Sequence, residues 1–309
     1  MDQVRNDNMG LCHSKRNEES YRYGKGWILR LLTVPYYLIW SNTMNLHEYA
    51  GKTLKKIRAQ KPLIHNITNY VVMNYTANAL LACGASPVMA HAYNEVREMV
   101  GIANALVINI GTLEEEWIRS MIIAASEANK KGIPIILDPV GAGATNFRTT
   151  AALRILRAAK ISVIRGNASE ILALTDSHSQ TKGVDSQHGV DEATDVALEL
   201  SLRYNAIVAV TGATDVVTDG NATIKVSNGH SLMSYVTGTG CTATALIGTF
   251  CAVESDYLKS AASALAYFGI AGELAAKEAI APGSFMIALL DKLYSITPVE
   301  LEQYAKFSM

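Results

Sequence analysis

The sequence predicts an α/β fold in which a central, mainly parallel sheet carries helices on both faces. Three observations predict it. Short apolar runs rich in Ile and Val recur along the chain, each run is continuous rather than alternating, and each is separated from the next by a stretch of helical period or composition. Unbroken apolar strands are buried on both faces, and a βαβα order pairs them in parallel with right-handed crossovers.

The expected strands are residues 106–110 (LVINI), 133–137 (IPIIL), 161–164 and 206–210. The clearest helical stretches are 69–83, 114–131, 149–160 and 191–204. After Thr211 the texture changes. Residues 216–218 and 223–226 flank Asp219-Gly220-Asn221, the pattern of a hairpin with a tight turn. Four helices in succession follow, at 242–253, 257–277, 283–294 and 298–307. No linker and no repeat divides this part, so residues 44–309 read as a single domain. The polar loop 175–189 reads as exposed.

Composition supports the same class. Of 309 residues 49% are hydrophobic and 18% charged, enough for a large core, while aromatics at 7% suit helices packed closely on a sheet. A net charge of −1 provides no field to recruit nucleic acid or an anionic membrane. Cys12, Cys83, Cys241 and Cys251 lie far apart with no CxxC pair, and the histidines show no HxxxH. A disulfide framework or zinc site is therefore not expected, and a reducing, cytoplasmic setting is.

Residues 1–43 differ from the rest, with a net charge of +2 against −3 for the remainder. Their apolar run at 27–40 carries Arg30 and Pro35 and is shorter than the ~20 residues a bilayer requires. Two readings stand: an extension upstream of a true start at Met44, or an interfacial anchor. Both leave it outside the fold.

No GxxxxGK[ST] loop occurs, and the glycines at 141–146 (GAGATN) lack the third glycine of a dinucleotide fingerprint, which favours a tight turn. Gly238-Thr239-Gly240-Cys241 is more informative, because two glycines precede a run of small residues with helical composition. Free amides at a helix start, with the positive end of the macrodipole, bind anions. The alternative is a glycine-rich turn before a buried helix. Further clues stand at strand ends, where open α/β sheets bind ligands. Asp138 follows one strand, Arg165 through Glu170 follows the next, and Thr211-Gly212 ends a third. Asn167 and Glu170 suit a capping box; alternatively Glu170 and Asp138 converge through waters on phosphate-bound magnesium, with Arg165 close to the phosphates.

Together these motifs resemble the ribokinase-like superfamily, in which an Asn-x-x-Glu segment and a Gly-x-Gly helix start serve ATP and magnesium. Within it the chain is similar to the hydroxyethylthiazole kinases from Pro62 onward. The stretches that carry the likeness are PLIHNITNYVVMNYTAN (62–78), GASPVMA (84–90), LVINIGTL (106–113), ILDPVGAGAT (136–145), IRGNASEI (164–171), VTGATD (210–215), VTGTGC (236–241) and APGSF (281–285). The resemblance implies ATP-dependent phosphorylation of 4-methyl-5-(2-hydroxyethyl)thiazole in thiamine salvage, with Mg²⁺. It implies that Arg165 and Thr211 contact ATP, Met89 and Gly238 contact the thiazole, and Asp138 and Glu170 stand on the magnesium side. Asn69 is a further candidate for the thiazole pocket. It also implies a homotrimer with sites between subunits, so that Met89 serves a neighbouring chain; on composition alone a Met after a short strand reads as core.

Most members of the superfamily carry Asp after the second glycine; here Cys241 stands there, as in this family. A thiol is a weak base at neutral pH, though a helix N-terminus lowers its pKa, and a loose phosphoryl-transfer transition state asks little of a base. Cys241 is expected to assist modestly while the Gly238–Gly240 amides stabilise the transferring group. Rival readings are a ribokinase-like kinase for another small alcohol, a dehydratase of damaged nicotinamide cofactor, or a non-catalytic sensor of a thiamine precursor. Met89 and Cys241 argue against the first two, and the presence of Asp138, Glu170 and Arg165 argues against the third.

Overall fold

A computed structural model describes residues 45–175 and 188–309, all within the compact unit Met44–Met309. The expectations for residues 1–43, and for most of loop 175–189, lie outside the described residues.

In chain order the elements are α1 (Leu46–Gln60), β1 (Leu63–Ile67), α2 (Met73–Cys83), β2 (Ser86–Val88), α3 (Val96–Ile102), β3 (Ala105–Asn109) and α4 (Glu115–Lys131). Then come β4 (Ile135–Asp138), α5 (Asn146–Ala158), β5 (Val163–Asn167), the short α6 (Ala168–Leu172), α7 (His188–Tyr204) and β6 (Ile207–Thr211). The hairpin β7 (Asp215–Thr218) and β8 (Thr223–Val226) leads through a 3₁₀ turn, Ser231–Tyr235, to α8 (Thr239–Cys251). The chain continues through α9 (Tyr257–Glu278), α10 (Pro282–Ser295), α11 (Pro298–Tyr304) and β9 (Phe307–Ser308).

The nine strands of the described residues form one sheet in the order β2-β1-β3-β4-β5-β6-β7-β8-β9. β1 to β6 are parallel and β7 to β9 continue antiparallel. The change of sense at β7 follows from its connection, since three residues after Thr211 can make a tight return but not a crossover. β1 lies between β2 and β3, so the winding reverses there. Ligands bind outside the carboxyl ends of the strands at such a point.

Helices α8, α9 and α10 cover one face of the sheet, and α4, α5 and α7 the other, each over its own apolar core. Small residues let α8 lie directly on the strands: a Cβ on Gly248 would sit 2.8 Å from Val107 Cγ2.

Several expected elements differ in extent. The helix expected from residue 69 begins at Met73, because Asn69 Oδ1 accepts the amide of Val71 (3.1 Å) and closes a local turn that competes with the helix. The helix expected to reach residue 307 ends at Tyr304, and Phe307 pairs with Val226 instead. That pairing covers the outer edge of β8, which would otherwise be an open edge. β1 escapes an apolar-run search because His65 and Asn66 interrupt it, yet both are fully buried.

Candidate active site

Period-two alternation decides which strand-end residues meet. Val107, Ile136, Val163 and Ala209 point into the core beneath α8 and α9, while their neighbours Leu106, Leu137, Ile164 and Val208 point into the other. Two residues beyond the first set stand Asn109, Asp138, Arg165 and Thr211, so all four lie on the face that carries α8. The register pairs Asn109 with Asp138 and Leu137 with Ile164, which places Arg165 next along the row. A one-residue slip in any of these strands would send its polar end to the opposite layer.

The start of α8 completes the face. Gly238 is its N-cap in the left-handed region (φ 85°), where a Cβ would also strike Val72 Cγ1 at 2.7 Å. The first helical bond runs from Thr242 N–H to Gly238 O (2.8 Å), which leaves the amides of Thr239, Gly240 and Cys241 ahead of it, and no side chain caps them. The Arg165 guanidinium lies against this end: a Cβ on Gly240 would sit 2.7 Å from its Nη1. Arg165 also bonds Thr211 Oγ1, and its Nη1 is 3.7 Å from Asp138 Oδ1. Free helix-start amides and a guanidinium are anion-binding groups, and the buried carboxylates of Asp138 and Asp215 lie within reach of that cation.

Asp138 is fully buried. Its Oδ2 accepts from Asn109 Nδ2 and from Thr244 Oγ1 of α8, each at 2.8 Å, while its Oδ1 has no hydrogen-bond partner among the described residues. Burial pushes its carboxyl up to about 6, with Arg165 pulling it down and Glu170 pushing it further up. Glu170 makes the capping box foreseen from the sequence: Asn167 Oδ1 accepts the Glu170 amide and Glu170 Oε2 accepts the Asn167 amide, both at 2.9 Å. Its Oε1 accepts the Gly141 amide at 2.9 Å. The capping role is thus present, while Glu170 remains within electrostatic reach of Asp138.

A polar chain runs from Asp138 to Cys241. Asn109 Oδ1 accepts from Asn69 Nδ2 (2.8 Å), and the same Asn69 nitrogen lies 3.5 Å from Cys241 Sγ. The expectation of a lowered thiol pKa is not met. Burial and the charge of Asp138 push the Cys241 thiol up to about 11, outweighing the pull of Asn109, Arg165 and Asn69.

A cavity of about 570 Å³ opens on the β5–β7 side of the helix start, lined by Arg165, Asn167, Thr211, Asp215, Thr239 and Gly240 among others. Gly238, Asp138, Glu170, Cys241 and Met89 do not line it. Asp138 lies beneath Arg165 and Cys241 faces Asn69 on the β1–β3 side. Met89 follows β2 at the sheet's edge, four strands from β5 or about 19 Å at normal strand spacing. It is half-buried and belongs to neither apolar core, so the core role that composition suggested for it does not hold.

Asn109, Thr244 and Asp215 belong to the site and were not singled out from the sequence. Asn109 had a signal, as the one polar side chain inside the apolar run LVINI. Asp215 is buried at the start of β7, where it accepts the Gly212 amide (3.0 Å), and burial pushes it up to about 6. Thr244 had no signal among the small residues of its helix.

The Hydroxyethylthiazole kinase family model matches residues 54–299. A hydroxyethylthiazole kinase of Desulfotalea psychrophila is 60% identical over 259 residues, which are 84% of this chain and 95% of that protein. The solved structure of hydroxyethylthiazole kinase from Pyrococcus horikoshii OT3 superposes with a TM-score of 0.78 at 50% identity, covering 84% of this chain and 98% of that one. A ribokinase-like superfamily protein of Enterococcus faecalis V583 shares the fold alone, with a TM-score of 0.54 at 13% identity over 85% of this chain and 95% of that one. With its ribokinase-like sheet, its strand-end polar row and its glycine-started helix, the chain belongs to the hydroxyethylthiazole kinase family.

Proposed function

We propose that the chain transfers the γ-phosphoryl group of ATP to the side-chain hydroxyl of 4-methyl-5-(2-hydroxyethyl)thiazole, the salvage step toward thiamine. One observation carries this reading beyond family membership: the first turn of α8 stands between two sites. Gly240 lines the cavity on the β5–β7 side, and the next residue, Cys241, faces Asn69 on the β1–β3 side. A donor nucleotide in the cavity and an acceptor alcohol at the topological switch then meet over the same free amides. The acceptor oxygen attacks the γ-phosphorus, the bond to the bridging β–γ oxygen breaks, and ADP leaves.

The amides of Thr239–Cys241 and the Arg165 guanidinium stabilise the charge on the transferring group, and Thr211 orients Arg165. Met89 and Gly238 serve the thiazole. With its pKa near 11, the Cys241 thiol is ionised to about one part in ten thousand at pH 7, so only that small thiolate fraction can take the hydroxyl proton; otherwise the proton passes to an oxygen of the transferred phosphoryl group, and Cys241 assists only modestly. Among the described residues no group of three acidic, histidine or cysteine side chains gathers to hold a metal. The buried Asp138 oxygen without a partner, close to Glu170, fits instead a magnesium ion carried on the phosphates and reached through water. Bound there, the ion would neutralise phosphate charge.

The position of Met89 beyond the edge strand supports a homotrimer in which it reaches a neighbouring chain's site. Among the described residues no helix is long and apolar enough to cross a membrane; the cytoplasmic reading rests on the scattered cysteines. Residues 1–43 are read as standing outside the catalytic domain. The deciding experiment measures ADP formation with and without the thiazole alcohol. Release that depends on the alcohol supports the kinase, and tight thiazole binding with no ADP formed would identify a sensor instead.

A further inference from the structure

One wall of the cavity is built from Asn228 to Ser234, a segment with no strand or α-helix of its own. Its placement comes from outside it. Asn228 is buried and its amide is fully engaged: Nδ2 donates to Glu273 Oε1 (3.1 Å) and to Tyr304 O (3.0 Å), while Oδ1 accepts the Lys306 amide (2.7 Å). Glu273 Oε1 also accepts the Gly229 amide (3.1 Å) and Lys306 Nζ (2.9 Å), so one carboxylate oxygen gathers three donors. The Ser227 amide donates to Lys306 O (3.0 Å), next to the Val226–Phe307 pair that joins β8 to β9.

The floor under this wall is α9. A Cβ on Gly269 would sit 2.5 Å from Asn228 O, and one on Gly272 would sit 2.6 Å from Met233 Sδ. The wall therefore lies directly on the helix backbone, and Glu273, one residue after Gly272, fastens it from the side. The tail that completes the clamp is held in turn by the first turn of α1, where His47 Nε2 lies 3.2 Å from Ala305 O and the His47 ring meets Phe307 edge-on.

We propose that Glu273 and residues 304–308 are positioning elements for nucleotide binding, holding the Asn228–Ser234 wall at the width the nucleotide requires. This rests on the reading of the cavity as the nucleotide site. Neither Glu273 nor the tail lines the cavity, so they act through Asn228 and Gly229 and not by contact with the ligand. Glu273 serves three donors at once; the Gly229 amide and Lys306 are exposed, whereas Asn228 is buried, and a buried donor that loses an acceptor shifts to find another.

The test uses the full chain with Glu273→Ala, Glu273→Gln, and a variant ending at Ala305, in equilibrium binding of a non-hydrolysable ATP analogue and in steady-state kinetics. Loss of the shared acceptor is expected to weaken nucleotide binding about tenfold, raising KM for ATP far more than it lowers kcat. KM for the thiazole alcohol should stay in place, and Glu273→Gln, which keeps an oxygen acceptor, should recover most of the loss. Unchanged analogue affinity in Glu273→Ala overturns the proposal, as does a parallel rise of both KM values. Arg165→Ala in the same assay separates the two levels. If it binds the analogue normally, the cavity reading fails and the inference with it; if it loses binding while Glu273→Ala does not, the inference alone fails. Should the shortened variant not fold, the comparison of Glu273→Ala with Glu273→Gln decides.

Discussion

Gly240→Ala separates the phosphate-binding role of α8 from its role in packing. Gly240 is the second residue of the helix, so alanine there favours the backbone by up to ~1 kcal/mol. The obstacle is the Arg165 guanidinium, whose Nη1 and Nη2 would lie 2.7 and 3.0 Å from the new Cβ. To restore ordinary contact the guanidinium must withdraw by ~0.8 Å or rotate, and it is the flexible end of its side chain that moves. Folding should therefore be unharmed. Withdrawal takes the cation away from Thr211 and from the free amides, and a misplaced charge-stabilising donor costs about 2–4 kcal/mol of barrier, or roughly 30- to 1000-fold in rate. ADP release coupled to a spectrophotometric readout gives the rate, and a thermal melt gives stability. Arg165→Ala should lose a comparable factor, and the double variant should be little worse than Arg165→Ala alone, because both changes remove one interaction. A folded Gly240→Ala protein with turnover within about threefold of the parent, or with losses that simply add to those of Arg165→Ala, would refute the reasoning.

Three further outcomes are expected. Asp138, raised from 3.8 to about 6, penalises the fold by ~3 kcal/mol above pH 6; the penalty fades as pH falls from 6 to 4 and is absent below. Asp138→Asn should then gain stability on the parent at pH 7 and lose that advantage by pH 4 in parallel denaturation curves, while activity collapses; an advantage independent of pH would contradict the assignment. Cys241→Ala should slow turnover yet leave it measurable, and Cys241→Asp should retain or increase it, whereas a dead Cys241→Asp enzyme that still binds ATP would overturn the modest role given to the thiol. The chain expressed from Met44 should match the chain expressed from Met1 in specific activity, and a loss of turnover on removal of residues 1–43 would return them to the working domain.

The parallel sheet, its helical layers and the polar residues at three strand ends were legible because each rests on local pattern. An unbroken run of Ile and Val says that both faces are covered, and a glycine pair before small residues says that a helix starts with open amides. Where the pattern was interrupted, legibility failed. β1 is hidden because His65 and Asn66 sit inside it, and the helix expected over 298–307 overruns to Phe307 because nothing in residues 305–308 reveals that β8 offers an edge. Cys241 shows the same limit from another side: its position pointed to a helix N-terminus, which favours the thiolate, but the burial and the neighbouring Asp138 that reverse the direction belong to other elements.

By itself the sequence determined the fold class, the family and a set of polar candidates at strand ends and at one helix start, since periodicity and short motifs are properties of neighbours along the chain. Tertiary structure alone decided how those residues divide. It placed Arg165, Thr211 and Gly240 around one cavity, put Cys241 with Asn69 on the other side of the helix start, and buried Asp138 beneath both. The reason is geometric. Which face a strand end presents depends on the pairing register, and how strongly a charge is felt depends on what is packed around it, so neither is written in the order of residues along any single segment.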